Sequence, residues 1–131
     1  MKKRFLSALL LLALALSLLP TTALAANKTT ATAATLDELK AALADPNVET
    51  IRFTDNIWVG KPYDEHPTEE DNTLTISRDV TFDLNEYGLG YGSSSSKVVI
   101  TEDGTLRIAP RKNGGYPVVN VFIENHGKLY G

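Results

Sequence analysis

The chain has no cysteine. A domain without disulfides is held by packing and backbone hydrogen bonds alone, so small stapled scaffolds, thiol catalysis and thiolate metal sites are all excluded. Histidine is scarce, with only His66 and His126 present, and no Ser/His/Asp arrangement suggests itself. Positive charge is also short. Thirteen Lys and Arg stand against 16 Asp and Glu, for a formal net charge of −3. Three of the basic residues are Lys2, Lys3 and Arg4, so the remainder is more acidic still. That balance disfavours nucleic acid and anionic membrane surfaces, which demand a basic footprint. Long apolar runs are confined to Phe5 to Leu19, broken by Ser7 and Ser17 and ended by Pro20.

The basic start, the apolar stretch and the small residues Ala23-Leu24-Ala25 have the layout of a secretory signal. Cleavage after Ala25 is expected, giving an exported product with no membrane span and a composition of bacterial appearance. Residues 26–34, "ANKTTATAA", read as a flexible leader. Thr35 then stands three places before Glu38, a capping-box arrangement. Leu36, Leu39 and Leu43 follow at helical spacing until Asp45-Pro46 stops the run, which predicts a helix over 35–44. Everything beyond reads as short strands and turns: Thr50 to Phe53, Asn56 to Val59, Thr73 to Ile76, Val80 to Leu84, Lys97 to Thr101, Thr105 to Ile108, Val118 to Ile123 and Lys128 to Tyr130.

These strands repeat. Ile51 is followed by Ile57 and Val59, Ile76 by Phe82 and Leu84, Ile100 by Leu106 and Ile108, and Ile123 by Leu129, with starts 25, 24 and 23 residues apart. Val98 and Gly104 flank Ile100 as Val121 and Gly127 flank Ile123. A period in the low twenties fits one coil of a parallel β-solenoid, in which each Ile stacks on the next. About four coils are expected over 35–131, closed at the start by the helix. The competing fold is an antiparallel β-hairpin sandwich, because Asp103-Gly104 is a favoured two-residue turn between alternating strands.

The order of "TLDELKAAL", "VETIRFTDNI", "LTISRDVTFDLN" and "VVITEDGTLRI" resembles the start of the pectate-lyase-like right-handed parallel β-helix of secreted and surface bacterial proteins. The similarity covers about residues 33 to 131. The family usually has Gly after the final Asn of "DLN", where this chain has Glu86. The resemblance implies that the helix covers the first coil, with Leu36, Leu39 and Leu43 over the opening. The chain stops at Gly131 inside the fourth unit, so truncation at the C-terminus is expected.

Candidate chemistry is thin. Residues 63–72, "YDEHPTEEDN", concentrate acids that could hold calcium, although no EF-hand spacing is present and a solvated acidic loop is the simpler reading. "GLGYGSSSS", residues 88–96, lacks the Lys and following helix of a phosphate loop and reads as a flexible bend. Tyr87, Tyr91, Tyr116 and Trp58, together with Tyr63, lie near strand ends and are candidate sugar-stacking residues; packing beneath loops is the alternative for each. Enzymes on this scaffold project acids and Arg or Lys from neighbouring coils. Asp79, Asp83, Arg78, Asp103 and Arg107 are of those types. Asp79 and Asp103 each stand three places after their Ile, and form the named metal pair; exposed turn positions, where Asp accepts local backbone hydrogen bonds, are the simpler reading.

The expectation is a secreted or cell-surface, non-enzymatic stalk or binding module for polysaccharide or a surface protein. The alternative is the N-terminal part of a polysaccharide lyase or glycosidase. No cofactor is expected; calcium is the metal that the acidic loop at 63–72 could hold, and a cation between Asp79 and Asp103 is the one named metal hypothesis.

Overall fold

The computed structural model describes residues 28–61, 66–112 and 115–131. The signal at 1–25 and Tyr63 lie outside the described residues. Eleven strands and one helix follow in the order β1 (Thr29–Ala33), α1 (Leu36–Ala44), β2 (Val48–Phe53), β3 (Ile57–Val59), β4 (Thr73–Ile76), β5 (Asp79–Asp83), β6 (Gly88–Tyr91), β7 (Lys97–Ile100), β8 (Thr105–Ala109), β9 (Val118–Asn120), β10 (Phe122–Asn125) and β11 (Lys128–Tyr130). They form three sheets: β1-β2-β5-β8-β11, β3-β6-β9 and β4-β7-β10. We call these the first, second and third sheets. From β2 to β10 each pass contributes a strand to the first sheet, then the second, then the third, while β1 and β11 add to the first sheet alone. Every pairing among the described residues is parallel.

The antiparallel sandwich is thereby overturned. Ile100 in β7 and Leu106 in β8 belong to different sheets, so "VITEDGTLRI" is a corner and not a hairpin. The residues from Glu102 to Gly104 make the bend, with the Gly104 N–H donating to the Thr101 carbonyl at 2.9 Å. A side chain at Gly104 would collide with the Ile76 carbonyl oxygen, 2.2 Å from the position of a Cβ. Gly127 repeats this close approach one pass later, its would-be Cβ lying 2.3 Å from the Gly104 oxygen. The shared Gly of the sequence pattern therefore marks a corner where backbone passes over backbone.

Strand alternation fills the interior. Ile51 lies opposite Phe82, and Phe82 opposite Ile108. Ile57 lies opposite Leu89, and Leu89 opposite Val119. Leu74, Val98 and Ile123 form a third row, and Ile76 meets Ile100. Phe53 and Phe82 pack with ring centroids 5.5 Å apart. Each fully buried aliphatic side chain contributes about 1.5–3 kcal/mol, which replaces what disulfides would supply.

The expected register is corrected in two places. Ile51 belongs to the first sheet and Ile76 to the third, so these two do not stack. Ile123 faces Val98, and Asn125 takes the place over Ile100. For Ile123 the cause is corner length: Ile100 leads to Thr105 in five steps, whereas their partners Asn125 and Lys128 are three steps apart. The corner from Ile100 to Thr105 is likewise two residues longer than the corner from Ile76 to Asp79, which sets Phe82 opposite Ile108 and not Leu106. Along the first sheet the spacing is 31 residues from Ile51 to Phe82, 26 from Phe82 to Ile108 and 23 from Leu106 to Leu129.

Two stretches expected to be irregular are ordered. Thr29–Ala33, within the anticipated leader, pairs in parallel with β2, and Ala33 is buried. Its small residues suit an edge strand beside a helix but carry little apolar periodicity. In the Gly/Ser stretch, Gly88–Tyr91 is a strand, and Ser93 and Ser96 are buried. The Ser93 N–H donates to the Ser96 Oγ at 3.0 Å, and the buried Asn72 amide donates to the Ser95 Oγ at 3.1 Å. These polar contacts hold the bend between the second and third sheets.

Helix α1 starts as its sequence dictates. The Glu38 N–H donates to the Thr35 Oγ1 at 3.2 Å, while the Glu38 carboxylate accepts from the Ala34 N–H at 2.8 Å, one residue earlier than in a standard capping box. Leu39 is fully buried, and Leu36 and Leu43 pack partly against the core. The helix closes over β1, β2 and β3. Asn85 adopts φ 58°, a left-handed turn conformation that Asn tolerates, and its N–H is held by the Asp83 carboxylate at 3.0 Å. That geometry removes the need for Gly after "DLN".

Candidate functional site

Alternation in the second sheet directs Ile57, Val59, Leu89 and Val119 inward, leaving Trp58, Gly88, Gly90, Val118 and Asn120 on the outer face. Trp58 pairs with Gly90, and Gly90 with Asn120. Gly90 presents no side chain, so the indole edge lies close over its backbone: a Cβ there would sit 3.2 Å from the Trp58 Cδ1 and 3.3 Å from the Nε1. Trp58 as a residue remains 56 % exposed. A shallow trough of about 200 Å3 runs beside it, lined by Asn56, Gly88, Gly90, Val118 and Asn120 among others, with no charged side chain among the described residues that line it. The Asn56 Oδ1 accepts the Gly88 N–H at 2.9 Å, fixing one wall.

The other aromatic candidates are scattered. Tyr91 is exposed and lines a second depression with Phe122 and Asn120. Tyr116 is exposed and lines neither trough. Tyr87 is partly buried and packs against the core. Tyr130, which the sequence reading passed over, carries the Arg107 guanidinium 4.8 Å from its ring centroid.

Three of the acids and arginines of lyase-like type, Asp79, Asp83 and Arg107, are engaged in ion pairs. Arg52 Nε meets Asp83 Oδ2 at 3.1 Å, and Arg107 Nε meets Asp79 Oδ1 at 3.3 Å, both between neighbouring passes of the first sheet. Asp79 pairs with Thr105 and not with Asp103, so the anticipated shared register of the two acids does not hold. The reason is again the longer corner before Thr105. Among the described residues no group of three or more His, Asp or Glu converges as metal ligands would.

Arg78 has a different employment. Its Nε donates to the Leu43 carbonyl at 3.1 Å, its Nη1 to Val48 at 2.6 Å and Asp79 at 3.4 Å, and its Nη2 to Ala42 at 3.1 Å and Asp45 at 2.8 Å. All five guanidinium donors are used on backbone carbonyls, most of them at the C-terminal end of α1, where the orphan carbonyls and the negative end of the helix dipole favour a cation.

The described part of the acidic loop is internally satisfied. The Thr68 N–H donates to Asp71 Oδ2 at 3.0 Å, and the Asp71 N–H to Thr68 Oγ1 at 3.2 Å. The Thr68 backbone and hydroxyl, with Lys61 3.6 Å away, hold the Asp71 carboxyl below its ordinary range. His66 is exposed. His126 lies 3.7 Å from Glu124, on the third sheet's outer side and away from the Trp58 trough.

Among the described residues no helix is long and apolar enough to cross a membrane. No curated protein and no solved structure gives a significant match to the chain. The family model of the pectate lyase-like adhesive domain matches residues 30–108, from β1 into β8 and more than half of the chain. A mainly β chain of parallel sheets with that match belongs to the pectate lyase-like adhesive domain family, whose description points to adhesion at a surface.

Proposed function

We propose that the chain is an exported, non-enzymatic adhesive module of a bacterial surface or secreted protein, built as a right-handed parallel β-solenoid with α1 closing its first coil. The signal-like first 25 residues support export. The solenoid reading draws on the strand order, in which each of the three passes from β2 to β10 adds one strand to each of three parallel sheets, and on the right-handed preference of parallel crossover connections. The reading that binds to surfaces and does no chemistry rests on one observation. Of the acids and arginines that could serve as acid, base or electrophile, Asp79, Asp83, Arg107 and Arg78 are tied up between coils or on the end of α1, with Arg52 as the partner of Asp83, and Asp103 stands exposed at the corner after Ile100. Scaffold alone does not confer lyase activity.

The test pairs two assays on the secreted chain. Retention on polysaccharide-coated and cell-wall surfaces is expected, together with no release of unsaturated uronate from polygalacturonate. Unsaturated product abolished by Asp79→Asn or Arg107→Gln would overturn the non-enzymatic reading and support the lyase alternative.

A further inference from the structure

Resting on the adhesive reading, we propose that the outer face of the second sheet binds an uncharged polysaccharide, with one sugar ring stacked on Trp58. An exposed Trp on a strand ordinarily shelters under a neighbouring side chain, yet here the paired position on the next strand is Gly90 and the one beside it Gly88, so the ring lies open over bare backbone. A pyranose presents axial C–H groups from one face and hydroxyls around its rim. An indole face supplies the apolar contact, and flanking amides supply donors and acceptors to the rim. Asn120 stands in the same cross-strand row as Trp58, and Asn56 forms a wall of the trough.

Among the described residues none that lines the trough is charged, and this selects the ligand class. A uronic-acid polymer would bring carboxylates to a site offering neither Arg nor Lys nor, among the described residues, a cluster of metal ligands, and burying an unpaired charge is costly. A neutral hexose or N-acetylhexosamine polymer meets no such penalty. The trough is shallow and open, which suits an internal stretch of a long chain more than a small enclosed ligand.

Trp58 is the only tryptophan in the chain, so its fluorescence reports on this site alone. The secreted chain is titrated with linear hexasaccharides of β-linked glucose, mannose and N-acetylglucosamine, and with hexagalacturonate as the charged probe. At least one neutral probe should change the emission saturably, with hexagalacturonate binding at least about tenfold more weakly. Calorimetry on Trp58→Ala should give at least about tenfold weaker binding, the effect of losing a central aromatic anchor. Trp58→Phe should retain part of the affinity because a ring face remains. An unchanged thermal midpoint in both variants would tie the loss to the site. No response to any neutral probe, preference for hexagalacturonate, or full binding by Trp58→Ala would each overturn the proposal. Surface retention separates the two readings: a Trp58→Ala chain that adheres as well as the parent overturns the glycan site alone, whereas failure of the parent to adhere overturns the adhesive reading beneath it.

Discussion

Ile100 tests the interior at the scale of one side chain. It is fully buried and stacked on Ile76. Ile100→Asp places a carboxylate where no partner exists, at a cost of several kcal/mol, against a total stability of about 5–15 kcal/mol for an ordinary domain. Ile123 occupies a related row but is only partly buried, so Ile123→Asp should cost about 1–2 kcal/mol, within the usual range for single substitutions. Urea unfolding of both variants gives the comparison, and equal losses would mean that the two rows do not differ in burial as described. The outward position of Trp58 was open to the same local rule. Alternation between Ile57 and Val59 allowed an outward ring beside one packed under a loop, and the exposure of Trp58 decides between them. Tyr87 was not legible, since its burial depends on how the turn after Leu84 folds back on the core.

At the scale of elements, the helix was legible from Thr35, Glu38 and the leucines because its signals are local. Its far end was not, because the cation that satisfies it comes from Arg78, more than thirty residues later in sequence. Arg78→Ala should cost about 2–3 kcal/mol, the range for a hydrogen bond to a charged group, and speed amide exchange in Leu36–Ala44 ahead of the sheets. Arg78→Lys should recover less than half of this, since an ammonium cannot serve five carbonyls in a planar fork. Loss of stability without selective exchange in α1 would contradict the assignment. The strands were legible where β-branched residues alternate, as in "TLTI" and "KVVI". Strands β1 and β6 escaped because Thr/Ala and Gly-rich segments lack apolar alternation and owe their conformation to the strand beside them. The repeat was visible, but its register was not: side-chain spacing records strands, whereas the two-residue difference between the corners before Asp79 and Thr105 is set by backbone geometry.

For the whole molecule, burial declines along the stacking direction. In the first sheet Val80 and Leu106 are buried and Leu129 is 38 % exposed; in the second, Ile57 and Leu89 are buried and Val119 only partly so; in the third, Leu74 and Val98 give way to Ile123 in the same manner. A stacked architecture in which each pass touches chiefly its neighbours has a stability close to a sum of local terms, so it opens in layers. Native-state hydrogen exchange on this chain should therefore be slowest in β4, β5 and β7, and faster in β9, β10 and β11. Because Trp58 lies on β3, beside the slow layers, the glycan face would remain formed while the last pass opens and closes. Uniform protection across all three sheets would instead describe a single cooperative unit, and would place the stability of the Trp58 face under the control of every coil.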